Sequence, residues 1–115
     1  MPAAAVLTIN NHRDRAQDAK NGRRTLAILL GARGAILLYG CELAGAALIT
    51  GYALLPLTQG AVLVALVGCG AAVARALRVA RIPISRALNA ELGATVRFQI
   101  GLAAAIVALL LSLSR

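Results

Sequence analysis

The sequence predicts an all-α integral membrane bundle with three transmembrane helices, at about 26–54, 57–80 and 88–113. Three observations predict it. First, the 115 residues are 60% hydrophobic and 14% charged, with a mean hydropathy of +0.81. A soluble domain is nearer 45–50% apolar and about 25% charged. Second, the apolar residues are mostly Ala, Leu, Val and Ile, with no Trp, one Phe and two Tyr. A soluble core would lack the large rings that usually fill one, whereas lipid-facing helices do not need them. Third, the charges are clustered. Arg13, Arg15, Lys20, Arg23, Arg24 and Arg33 form one basic group, and Arg75, Arg78, Arg81 and Arg86 form another. Between Glu42 and Arg75 lie 32 uncharged residues.

Residues 10–24, NNHRDRAQDAKNGRR, are the most polar stretch. Before them an apolar piece at 3–9 is too short to span and reads as the tail of an earlier helix, which favours truncation at Met1. No charged n-region with a full apolar run precedes it, so no secretory signal is expected. The first long apolar segment opens at Thr25. Arg33 and Glu42 interrupt it, and the part past Arg33, 35–54, has 20 residues with Glu42 as its one charge. At about 1.5 Å per residue that matches a hydrocarbon core of about 30 Å. Pro56, Thr58, Gln59 and Gly60 then mark a hairpin turn. The second helix ends in the basic loop at 75–86 around Pro83. The third has a charge-free run from Phe98 to Ser114, short for a span unless the apolar residues at 92–96 extend it.

The positive-inside rule orients these helices. The N-terminal cluster and the 75–86 loop are basic, while the turn at 55–60 carries no charge. Both basic regions should therefore share the cytoplasmic face of the cell's inner (plasma) membrane. The chain divides into a cytoplasmic aspartate-bearing segment, 1–24, and a three-helix transmembrane domain, 25–115. Its net charge of +8 could suggest nucleic acid. Basic clusters flanking uncharged runs follow membrane topology instead, so the expected partner is the lipid bilayer and not nucleic acid.

Small residues recur at four-residue spacing: Gly40 with Ala44, Ala47 with Gly51, and Gly68 with Ala72 and Ala76. Such patterns let membrane helices approach closely. Tyr39 and Tyr52 flank the first span and fit interfacial anchoring. Cys41 and Cys69 lie inside apolar segments and read as small buried hydrophobes. Glu42 is an intramembrane carboxylate, a functional candidate by default; the competing reading is a side chain that simply faces the bundle. His12 reads as a solvated neighbour of the charged cluster.

On a helix Asp14 and Asp18 share a face. Two adjacent carboxylates repel unless a cation sits between them. A hard divalent ion is the natural partner, and Mg2+ takes one or two carboxylates together with substrate phosphates. The surrounding Arg and Lys side chains would meet phosphate oxygens. The competing reading is a solvated juxtamembrane segment whose Asp residues pair with Arg and Lys.

The longer string, Asn11, Arg13, Asp14, Asp18, Gly22, Thr25, Leu26, Ala27, Leu30 and Gly31, resembles the second aspartate-rich signature of the UbiA superfamily of membrane prenyltransferases. Leu88, Asn89, Leu92 and Thr95 resemble the L-N-x-x-L-x-x-T segment that opens that family's last helix. The double Asn and the R-D order look most like the menaquinone branch, the 1,4-dihydroxy-2-naphthoate polyprenyltransferases. The resemblance implies Asp14 and Asp18 as catalytic ligands of Mg2+. It implies Asn11, Arg13, Lys20, Arg23 and Arg24 as binders of a polyprenyl diphosphate, whose prenyl group is transferred to an aromatic acceptor. It covers only the last third of a nine-helix fold, and the family's first motif, N-D-x-x-D-x-x-x-D, is absent from this sequence. The chain is therefore expected to be inactive alone and to need complementation by the missing N-terminal helices. A non-catalytic truncated membrane protein or partner-binding subunit is the other reading.

Overall fold

A computed structural model describes the backbone of residues 2–113 and the side chains of residues 3–111. Met1 and Ser114, which bear on the expected start and on the end of the last span, lie outside the described residues. Four helices follow one another: α1 (Pro2–Lys20), α2 (Leu26–Leu54), α3 (Gly60–Arg81) and α4 (Leu88–Leu113). The last three are long and apolar enough to cross a membrane. The spans match those expected, except that α3 begins three residues later than position 57. Thr58 closes the turn by accepting hydrogen bonds from Gly60 N at its side chain and from Ala61 N at its carbonyl.

α1 and α2 are separated by a stop and a start built from adjacent residues. Gly22 has φ +71°, a left-handed conformation that glycine adopts without a Cβ penalty. Arg23 N donates to Asp18 O at 2.9 Å and Gly22 N to Ala19 O at 3.2 Å, the paired bonds that satisfy the last carbonyls of a helix. Thr25 then caps α2, its hydroxyl oxygen accepting from Ile28 N at 3.3 Å. Gly31, at φ +70° and ψ −175°, bends α2 one turn later. Side chains other than glycine's are excluded there in practice.

α2 and α3 pack as an antiparallel hairpin with small residues in the seam. A Cβ added at Gly68 would lie 2.5 Å from Ala47 Cβ, one at Gly51 would lie 2.6 Å from Ala65 Cβ, and one at Gly40 would lie 3.1 Å from Ala76 Cβ. The residue numbers in these pairs sum to nearly the same value, as an antiparallel register requires. Lipid is as apolar as leucine, so close van der Waals contact holds membrane helices together where burial alone would not. The large side chains point outward: Leu37, Leu63, Val67 and Ile100 are exposed. Such a small interior and large apolar exterior invert the pattern of a soluble core.

α1 packs against α2 and α4, where Ala5 and Ile9 join Tyr39, Leu43, Ala72, Val79 and Leu88 in one buried cluster. Tyr39 is 1% exposed, and its hydroxyl lies 2.6 Å from Thr95 Oγ1. It is thus a core residue, not the interfacial anchor expected; only Tyr52 is exposed beside a helix end. A buried phenol needs a hydrogen-bond partner, and the long-range partner on α4 is invisible to helix periodicity. Cys41 is exposed on the outside of α2 rather than buried.

Candidate functional site

The α1–α2 junction and the α3–α4 loop lie at one end of the bundle, so the two basic regions are brought together. Arg13 Nη1 donates to Asn89 Oδ1 across the gap between α1 and α4. Arg13, Asp14, Ser85, Arg86 and Asn89 line a cavity of about 450 Å³ there.

At about 100° per residue, Asn11, Asp14 and Asp18 fall within an arc of about 60° on α1. Arginine engages each carboxylate. Arg13 Nε and Nη2 both donate to Asp14 at 2.7 Å, the bidentate geometry of a strong charge-assisted pair. These bonds hold the Asp14 carboxyl below its ordinary range and raise Arg13 further. Asp18 is buried, and Arg23 Nη1 donates to its Oδ1 at 3.2 Å. The Gly22 turn sets that contact, since the same turn brings Arg23 N onto the Asp18 carbonyl.

The remaining candidates are distributed more widely. Asn11 and Arg24 line a different cavity, of about 360 Å³ between α1 and α2, and Glu42 reaches into it. Lys20 is exposed in the last turn of α1, where a cation complements the helix dipole. The structure therefore gathers Arg13 and Asp14 with the α3–α4 loop, and pairs Asp18 with Arg23. It places Asn11 and Arg24 one cavity away.

Among the described residues, no three His, Cys, Asp or Glu side chains gather into a metal-binding group. Two carboxylates and a carboxamide on one helix face still match the hard-oxygen donors that Mg2+ takes alongside phosphate oxygens. His12 departs from expectation: it is 3% exposed, and its buried Nδ1 has no hydrogen-bond partner. Burial, and then the charge of Arg15, pushes its pKa below the ordinary histidine value.

Glu91, in the first turn of α4, is a second polar centre and is buried. Its side chain is 3% exposed and accepts from Arg75 Nη1 at 3.2 Å and Arg78 Nε at 2.8 Å. Two arginines of the second basic cluster are thus committed to a buried carboxylate rather than free at the membrane surface. The available signal was a lone Glu one turn past a Pro-containing loop, facing Arg75 and Arg78 at i,i+3 spacing. The L-N-x-x-L-x-x-T residues each acquire a structural role. Leu88 is in the core, Asn89 accepts from Arg13, Leu92 packs on the core, and Thr95 meets Tyr39.

No curated protein and no solved structure matches this chain. Residues 2–99, from the first turn of α1 into the middle of α4, match the family model described as the UbiA prenyltransferase family. That match covers the aspartate-bearing helix, its glycine stop, α2, α3 and the first part of α4, and the chain belongs to the UbiA prenyltransferase family.

Proposed function

We propose that this chain supplies one carboxylate pair and the closing helices of a Mg2+-dependent membrane prenyltransferase. It would move a polyprenyl group from its diphosphate to 1,4-dihydroxy-2-naphthoate in menaquinone biosynthesis. The observation that carries this reading is the meeting of Asp14, on the Asn11–Asp14–Asp18 face, with the basic α3–α4 loop at one end of the bundle. In this reading that end faces the cytoplasm of a cell bounded by the inner (plasma) membrane, as the basic loops favour.

Asp14 and Asp18 would hold the metal, with Asn11 beside them. Bound there, Mg2+ supplies positive charge to the diphosphate as its allylic C–O bond ionises. Arg13 and Arg23 now hold these carboxylates. With the carboxylates given over to a cation, both guanidinium groups would be free to meet phosphate oxygens, which they suit as planar forks. Lys20 and Arg24 add charge at the same end. The acceptor assignment rests on the double Asn and the R-D order of α1.

This chemistry needs a second carboxylate set, which the 115 residues do not contain. The purified chain in detergent with Mg2+, a polyprenyl diphosphate and dihydroxynaphthoate should give no detectable prenylated product. Co-expression with a polypeptide carrying the N-D-x-x-D-x-x-x-D motif should give product, and Asp14→Asn should abolish it. Robust product from the chain alone would overturn the requirement for the second set.

A further inference from the structure

The outer side of the α2–α3 hairpin carries a groove of about 580 Å³ with a cation at one end. Gly40, Ala44 and Ala76 form its floor, where the two backbones approach closely. Leu37 and Leu77 stand exposed along its rims. Arg33 is the single charged residue of the lining. It is exposed and has no acidic partner among the described residues. At about 100° per residue, Arg33 and Glu42 point to opposite sides of α2. The groove therefore lies on the face turned away from α1 and its aspartates, apart from the site described above.

Depth and charge together select an occupant. Carried on from the Gly40–Ala76 and Ala47–Gly68 contacts, the hairpin register sets Arg33 level with Ile82, the residue that caps α3. Arg81, exposed in the last turn of α3 and also without an acidic partner among the described residues, stands at the same level. The groove thus begins where the helices leave the apolar layer. It reaches Ala44, eleven residues further along α2, or about 16 Å at about 1.5 Å per residue. Half of a hydrocarbon core of about 30 Å is nearly that depth. A neighbouring helix would run on across the whole core, whereas a lipid chain ends near the midplane. Basic pockets between membrane helices attract anionic headgroups at the bilayer surface. We propose that the α2–α3 groove seats one anionic phospholipid of the leaflet bordering the basic loops, with its phosphate on Arg33 and one acyl chain running to Ala44. The assignment is independent of the prenyl-transfer reading.

The test uses the purified chain in neutral detergent. Cys41 is exposed on the wall of the groove, so its alkylation by N-ethylmaleimide reports occupancy once Cys69→Ala has removed the other thiol. Dioleoyl phosphatidylglycerol should slow that alkylation and raise the melting temperature, because a ligand bound only to the folded chain stabilises it. Dioleoyl phosphatidylcholine at the same concentration should do neither. Arg33→Gln should weaken phosphatidylglycerol about fivefold, the loss expected of one arginine near a charged membrane surface. Arg86→Gln, which removes a charge at the same end of the bundle but outside the groove, should leave that affinity unchanged. Ala80→Leu, which fills the Arg33 end of the groove, should abolish protection of Cys41. Equal effects of the two lipids, or equal phosphatidylglycerol affinity in wild type and Arg33→Gln, overturn the proposal. Glycerol phosphate that protects Cys41 as well as the lipid does would mark a free phosphate site and overturn it too. So would protection that rises with protein concentration and ignores lipid, since a second copy of the chain would then cover the groove.

Discussion

Two of the contact regions in this bundle use opposite chemistry. Along the α2–α3 hairpin, Gly40, Ala47 and Gly51 meet Ala76, Gly68 and Ala65 at backbone-limited distance. Around the start of α4, side chains far apart in sequence meet through hydrogen bonds: Arg13 with Asn89, Arg75 and Arg78 with Glu91, and Tyr39 with Thr95. The hairpin seam tolerates no added atoms. The α4 contacts tolerate no lost partner. The difference teaches where each kind of damage falls in a membrane protein. Steric fit governs helices that lipid would otherwise separate, and satisfaction of polar groups governs the end where charges must be held.

The largest effect should come from filling the seam. Gly68→Leu places a Cβ 2.5 Å from Ala47 Cβ, so the helices must part. A loss of more than about 3 kcal/mol is expected, at or beyond the usual range for overpacking. Thermal unfolding in detergent measures it. Gly45→Ala and Gly70→Ala, where an added Cβ meets nothing within 4 Å, are the controls and should stabilise by about 0.5–1 kcal/mol. If Gly68→Leu melts like Gly70→Ala, the hairpin packing is wrong.

Next comes Glu91→Ala, which leaves Arg75 without its partner. Breaking a buried pair costs about 3–5 kcal/mol. The lower end is expected here because the Arg78 side chain is 72% exposed and finds water instead. Adding Arg75→Met and Arg78→Met should recover much of that loss, which distinguishes an uncompensated charge from a cavity.

Tyr39→Phe removes only the phenol that meets Thr95. Because Thr95 Oγ1 also donates to Glu91 O at 2.7 Å, the loss should be near the membrane average of about 0.6 kcal/mol. A cost several times larger would mean that the hydroxyl holds more than this bond.

The smallest effect concerns His12, whose pKa is lowered by burial. Above the ordinary histidine value of about 6.5, the folded and unfolded chains carry the same neutral imidazole. As pH falls through that value, the unfolded chain takes up a proton that the folded chain resists, and stability drops. Melting curves from pH 8 to pH 5 should show this slope, and His12→Leu should flatten it. Asp14, whose pKa is also lowered, loses its contribution only in more acidic solution, below the ordinary aspartate value of about 3.8. The two windows therefore separate.

Much of the architecture was legible in the residues themselves. The length and apolarity of the three spans, the breakers at 56–60 and the loop around Pro83 are local properties. So are the glycine stop at Gly22 and the Thr25 cap, because helix ends are decided by a few consecutive residues. The four-residue spacing of Gly and Ala also marks residues that the structure places in the seam, among them Gly40, Ala47, Gly51, Gly68 and Ala76. The settings of Glu91, Tyr39 and His12 are not legible in the sequence for one shared reason. Each is polar in an apolar or flanking setting, and its burial depends on a partner or a packing face supplied by another helix.

The amino-acid sequence by itself determined that this chain crosses a membrane, where its helices stop, and which end is basic. A bilayer selects on length and apolarity, and both are summed along the chain. The tertiary structure alone decided which polar groups find partners. It joined Arg13 to Asn89 and committed Arg75 and Arg78 to Glu91, while leaving Glu42 Oε2 unpaired beside a cavity. Hydrogen bonds act over about 3 Å, and only packing brings side chains from separate helices within that reach.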